Sequence, residues 1–109
     1  MAKFLALYMG NDAPPVQPSP DAIAKGMAAW QKWMTDHAAQ VVDTGGPLGK
    51  TKKITQQGIE DTSNEMGAFM VVRAASHEAA AKLFEKHPHF TIFPGESVEV
   101  MPVMPIPGT

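Results

Sequence analysis

The chain has 109 residues, 44% of them apolar and 18% charged, with a net charge of −2 and no cysteine. This size supports one domain with a single core, and the balance is that of a globular chain rather than a disordered one. The absence of cysteine excludes disulfides, thiolate zinc sites, iron–sulfur clusters and a thiol nucleophile, and the mildly acidic balance speaks against nucleic acid as a partner.

The first apolar run, residues 4–9, closes at Gly10-Asn11-Asp12. It is too short for a secretion signal, and no stretch reaches the ~20 apolar residues of a membrane span. The expected compartment is the cytoplasm, with no membrane contact. The one basic cluster, Lys50, Lys52 and Lys53, reads as a solvated hairpin or loop, with a contact to an acidic ligand as the alternative.

In chain order, residues 3–9 read as a strand. Phe4, Ala6 and Tyr8 point one way and Leu5, Leu7 and Met9 the other, so neither face is polar. Prolines 14, 15 and 18 break a loop over residues 10–18. Ser19, Pro20 and Asp21 form an N-cap, a first-turn proline and an acidic group at the positive helix end. They start a helix expected to run to about residue 40. Ile23, Met27, Trp30, Met34, Ala38 and Val41 form its apolar stripe. Trp33 and His37 make a second line beside it.

Residues 41–44 are a short β segment closed by Gly45-Gly46-Pro47. Residues 50–57 continue as an extended, solvent-facing stretch, and 58–65 read as a polar loop. Residues 66–74 form a second strong strand, again apolar on both faces. Ser76 caps a second helix carrying Ala80, Leu83, Phe84 and His87, which Pro88 ends. Residues 96–104 alternate as a last strand, which Pro102 confines to an edge or ends. The tail from residue 105 should fray.

The order β-α-β-β-α-β predicts an α+β, ferredoxin-like, four-stranded antiparallel sheet with both helices on one face. The helices cover one apolar face of the sheet and leave the other open. Monomers seldom expose apolar patches above about 300–600 Å², so a homodimer packed sheet against sheet is expected. Eight methionines suit adaptable packing at such a seam.

Several short segments resemble YCII-related proteins and their DGPF-domain relatives. They are the opening Lys3-Phe4-Leu5-Ala6-Leu7-Tyr8, the middle Val41-Val42-Asp43-Thr44-Gly45-Gly46-Pro47-Leu48-Gly49, the step His87-Pro88-His89-Phe90, and the closing Ser97-Val98-Glu99-Val100-Met101-Pro102-Val103. The resemblance spans nearly the whole chain and implies a dimeric α+β barrel. Some relatives are small enzymes that use a His on the first helix with an Asp nearby. Here the matching helix position holds Ala29 or Trp30, and His37 follows about two turns later. Gly46-Pro47-Leu48 stands nearest to the DGPF signature.

Among the chemistry-bearing groups, Gly49-Lys50-Thr51 lacks the upstream glycine and following helix of a phosphate loop. His87 and His89 flank Pro88, but a metal needs a third or fourth ligand that no spacing supplies, so no metal or cofactor is expected. His87 alternatively closes a helix C-terminus. The candidate catalytic set is His89 or His37 as acid/base, with Asp43 as orienting carboxylate. Asp43 alternatively caps loop amides. Tyr8, Trp30, Trp33, His87 and Glu99 are the candidate ligand-binding residues, the aromatic rings forming walls for a small planar molecule. Trp30 is equally a core residue, and Trp33 a lid or interface anchor. The expected function is binding, or cofactor-free acid/base transformation, of a small cyclic substrate. The alternative is a non-catalytic accessory or regulatory module.

Overall fold

A computed structural model describes residues 1–10, 19–85, 87–88 and 96–107. The elements are β1 (Ala2–Met9), α1 (Pro20–Asp36), β2 (Val41–Pro47), β3 (Thr51–Thr55), β4 (Gly58–Thr62), β5 (Met66–Ala74), α2 (His77–Lys82) and β6 (Ser97–Pro102). Four strands make one sheet in the order β2-β5-β1-β6, with every neighbouring pair antiparallel. This is the ferredoxin-like arrangement that the element order predicts, with β1 and β5 at the centre.

Alternation along the central strands decides what is buried. Phe4, Ala6 and Tyr8 of β1 register with Val72, Met70 and Ala68 of β5. Together with Ala74, Trp33, Ala80 and Phe84 they form the core, Ala68 being only partly buried. The opposite set, Leu5, Leu7, Phe69 and Val71, is only half-buried. Leu7 pairs with Phe69 and Leu5 with Val71, so these four form one contiguous apolar block on the open face. Met101, paired to Leu5, extends it and is 38% exposed.

Both helices start as their caps dictate. The Ser19 hydroxyl accepts from Ala22 N–H at 3.1 Å, and the Ser76 hydroxyl accepts from Ala79 N–H at 3.0 Å, satisfying amides that the first turn leaves without partners.

Several expectations need correction. The buried line of α1 is not the stripe through Ile23 and Met27, which are 40% and 66% exposed. It runs through Gly26 and Trp33, with Trp30 and Met34 partly buried. The two indoles remove more apolar area from water than Ile23 and Met27 would, and they set the helix rotation. α1 also stops at Asp36 rather than near residue 40. His37 is its C-cap with φ −112° and ψ 20°, and its ring bonds the Trp33 carbonyl. Finally, residues 58–62 are a strand: β3 and β4 form a separate hairpin. Lys52 faces Asp61, Lys53 faces Glu60, and Ile54 faces Ile59, cross-strand pairs that stabilise a ribbon. α2 ends at Lys82, and turns, not helix, carry the chain on through residue 85.

β2 reaches β5 through two register shifts, between Val41 and Asp43 and between Asp43 and Gly46. The Asp43 carboxylate accepts from Gly45 N–H at 2.8 Å. Gly45 sits at φ +63°, and a Cβ there would meet the Phe69 carbonyl oxygen at 1.9 Å. Gly45→Ala should therefore destabilise the fold by about 1–2 kcal/mol, the edge strand yielding to make room. Urea denaturation would show a lower midpoint. An unchanged midpoint would contradict this reading.

Candidate functional site

Tyr8 lies on the helix-covered face of β1, between Ala68 of β5 and Val98 of β6. Ala68 is small, and Gly46 follows on β2. The room left beside the phenol is a cavity of about 400 Å³ between α1 and the β2–β5 edge, within the range of small-molecule sites. Tyr8, Met27, Trp30, Gln31, Thr44 and Ala68 are among its walls. They are mostly apolar, and the side-chain hydrogen-bonding groups among them are the phenol, the Trp30 indole N–H, the Gln31 amide and the Thr44 hydroxyl.

Behind Tyr8 stands His87, which is fully buried. Its Nε2 is 3.1 Å from the Tyr8 hydroxyl, across 79 positions of sequence. Trp30, Trp33, Tyr8 and Phe84 surround the imidazole at ring-centre distances of 4.4, 4.5, 5.0 and 5.9 Å. The Tyr8 hydroxyl also lies 3.9 Å from the Met70 sulfur, a weak acceptor. Burial pushes the Tyr8 phenol well above the usual tyrosine range, because the phenolate would lose its hydration. At neutral pH the hydroxyl keeps its proton and is a donor.

Trp33 ties the helices together. Its indole N–H donates to the Leu83 carbonyl at 3.1 Å, and its ring stacks on Phe84 at 5.2 Å and on His37 at 4.4 Å. His37 Nδ1 lies 2.8 Å from the Trp33 carbonyl. A carbonyl only accepts, so Nδ1 carries the proton and Nε2 is the acceptor nitrogen of the neutral ring. By the same argument His77, which the sequence reading passed over, donates from Nε2 to the Val100 carbonyl at 2.8 Å.

Of the sequence candidates, Tyr8 and Trp30 line the cavity, and His87 and Trp33 stand behind those walls. His37, Asp43 and Glu99 do not line it. Asp43 is exposed and holds the Gly45 turn. Glu99 is exposed on the open sheet face, opposite Leu7. His89 lies outside the described residues. Met27, Gln31 and Thr44 are wall residues that the sequence reading did not single out. Gln31 and Thr44 each adjoin a candidate, Trp30 and Asp43, and that adjacency was the available signal. No group of three or more His, Asp or Glu among the described residues is placed to hold a metal ion. A second hollow, of about 530 Å³, lies at the hairpin root. Lys52 on its wall is paired to Asp61 at 2.6 Å, and the hollow presents no buried polar group. No helix among the described residues is long and apolar enough to cross a membrane.

No protein-family model matches the chain, and no curated protein does. Among solved structures it is similar in fold to the 5-chloro-2-hydroxyhydroquinone dehydrochlorinase TftG from Burkholderia phenoliruptrix, determined in complex with 2,5-dihydroxybenzoquinone. The match has a TM-score of 0.56 and 20% sequence identity, and it covers 91% of this chain and 90% of that one.

Proposed function

We propose that the cavity between α1 and the β2–β5 edge takes a small hydroxylated cyclic compound, and that Tyr8 manages a proton on it without a cofactor. The observation that carries this reading is the phenol in the cavity wall with a buried imidazole 3.1 Å behind it. With His87 Nε2–H donating to the phenol oxygen, the Tyr8 O–H can turn towards a ligand oxygen. Imidazole N–H to phenol O–H to ligand oxygen is a donor chain whose bonds reinforce one another in a dry site. Such a chain stabilises negative charge developing on a ring oxygen during elimination or isomerisation. Trp30 supplies a flat wall for the ring, and Gln31 and Thr44 supply polar contacts at the mouth. His37, Asp43 and His89 are candidates for the complementary base. The similar fold of a dehydrochlorinase bound to a dihydroxybenzoquinone supports this class of ligand.

In this reading the protein belongs with the YCII-related and DGPF-domain proteins that its segments resemble, and it works as a homodimer through the open sheet face. The half-buried block of Leu5, Leu7, Phe69 and Val71 supports that assembly.

Calorimetric titration with 2,5-dihydroxybenzoquinone tests the binding. Saturable heat with a dissociation constant below about 1 mM is expected, weakened tenfold or more in Trp30→Ala, about 1.4 kcal/mol or more for one lost aromatic wall. No saturable heat, or equal affinity in the variant, would refute the assignment of this cavity.

A further inference from the structure

Neither the sheet nor the candidate site accounts for the packing of the β3–β4 hairpin. Its strands pair only with each other, and nearly every residue in them is exposed. An isolated two-stranded hairpin is marginal in water. This one nevertheless presents two large apolar side chains side by side, Ile54 at 71% and Ile59 at 70% exposure. Its charges are already matched across the ribbon, Lys52 with Asp61 at 2.6 Å and Lys53 with Glu60 at 3.9 Å. The ribbon therefore carries no net charge and one exposed apolar pair, which does not suit a charged partner. The molecule is broad and flat, 49 × 39 × 18 Å. The radius of gyration is 15.8 Å, against about 13 Å for a compact chain of this length.

We propose that this hairpin is an arm that reaches onto a second copy of the chain and seats the Ile54–Ile59 pair on that copy's apolar surface. The inference rests on the homodimer reading above. Area favours a second copy as the occupant. Four strands about 4.8 Å apart and about six residues long give a sheet face of roughly 400 Å². A stable interface takes about 800 Å² from each partner, so the sheet face alone falls short. Each arm, about 17 Å long and two strands wide, adds roughly 150 Å². In a two-fold pair every copy both gives an arm and receives one, which brings the contact close to the required size. Continuity favours it too. Exposed apolar side chains lead from the sheet to the arm, Val42 at 43%, then Leu48 at 41% and Met66 at 40% where the ribbon leaves the β2–β5 ladder.

Sedimentation velocity on the full chain, from roughly 1 to 100 μM, measures the pairing. Ile54→Thr with Ile59→Thr keeps β-branched residues in both strands and removes the apolar contact. The expected result is a dimer whose dissociation constant rises tenfold or more in that double variant. Hydrogen exchange of the wild-type chain gives a second readout that needs no variant: amides of residues 51–62 should gain protection as concentration rises through the dimer range. A double variant that dimerises like wild type, or hairpin amides that exchange alike at low and high concentration, would overturn the arm. Leu7→Glu on the open face separates the two claims. If it disrupts the dimer while the isoleucine variant does not, the sheet contact stands and the arm falls. If the isoleucine variant alone weakens pairing, the arm stands and the sheet contact falls. A wild-type chain that stays monomeric throughout removes both.

Discussion

Trp33→Ala should lower stability by about 3–5 kcal/mol, the usual result of deleting a buried indole. The side chain is 7% exposed. It stacks on Phe84 and His37, lies against His87, and donates its N–H to the Leu83 carbonyl. The substitution thus opens a void in the core and leaves a backbone carbonyl short of a donor at the turn after α2. A domain of this size has about 5–15 kcal/mol in total, so a large part of it would be lost. Urea denaturation followed by circular dichroism measures the change. Trp33→Phe keeps one six-membered ring but loses the N–H and the rest of the indole, so it should cost less than alanine, about 1–3 kcal/mol. A cost below about 1 kcal/mol for the alanine variant would mean that the indole does not join α1 to the α2 turn as described.

Tyr8→Phe should cost about 1–3 kcal/mol at neutral pH, because the buried His87 loses its phenol partner. It should also change how stability responds to alkali. In the folded chain burial raises the Tyr8 pKa, whereas the unfolded phenol titrates near its ordinary value of about 10. Above that pH the unfolded chain gives up a proton that the folded chain keeps. The folded state then binds more protons, and stability falls as pH rises. The contribution is complete below about pH 10 and is lost progressively towards the raised folded value. Phenylalanine has no such proton. The stability advantage of wild type over Tyr8→Phe should therefore hold steady at neutral pH and shrink above about pH 10. The chain has one tyrosine, so phenolate absorbance follows this group alone. Parallel stability curves for the two proteins up to pH 11 would show that the phenol is not held in a dry site.

Much of this architecture is legible in the sequence because period-2 alternation is unambiguous in β1 and β5. Phe4, Ala6 and Tyr8 on one side and Leu5 and Leu7 on the other follow from spacing alone. The caps at Ser19 and Ser76 are equally plain. The rotation of α1 is not. Trp33, one step off the stripe that holds Ile23, Met27 and Trp30, competes with the start of that stripe, and the outcome depends on an acceptor, the Leu83 carbonyl, that lies 50 residues away. The second strand of the hairpin is hidden because Gln56 and Gln57 carry none of the usual turn chemistry and because Gly58-Ile59-Glu60-Asp61-Thr62 has a single apolar residue. At the candidate site, spacing marks Tyr8, Trp30 and His87 separately, but their meeting is a product of topology. No local pattern brings position 87 beside position 8. Asp43 reads equally well as a catalytic carboxylate or a turn cap, and its bond to Gly45 accounts for the second role.

The proposed proton chemistry requires a ligand that bonds the Tyr8 hydroxyl in front of the buried imidazole. Long-range ¹⁵N spectra of the histidine rings during a titration with 2,5-dihydroxybenzoquinone report this directly. The ring nitrogens of His87 should shift saturably with added ligand, while those of His77, bonded to the Val100 carbonyl, stay in place. Calorimetric binding with His87 unmoved would contradict it, since the ligand would then sit elsewhere on the chain.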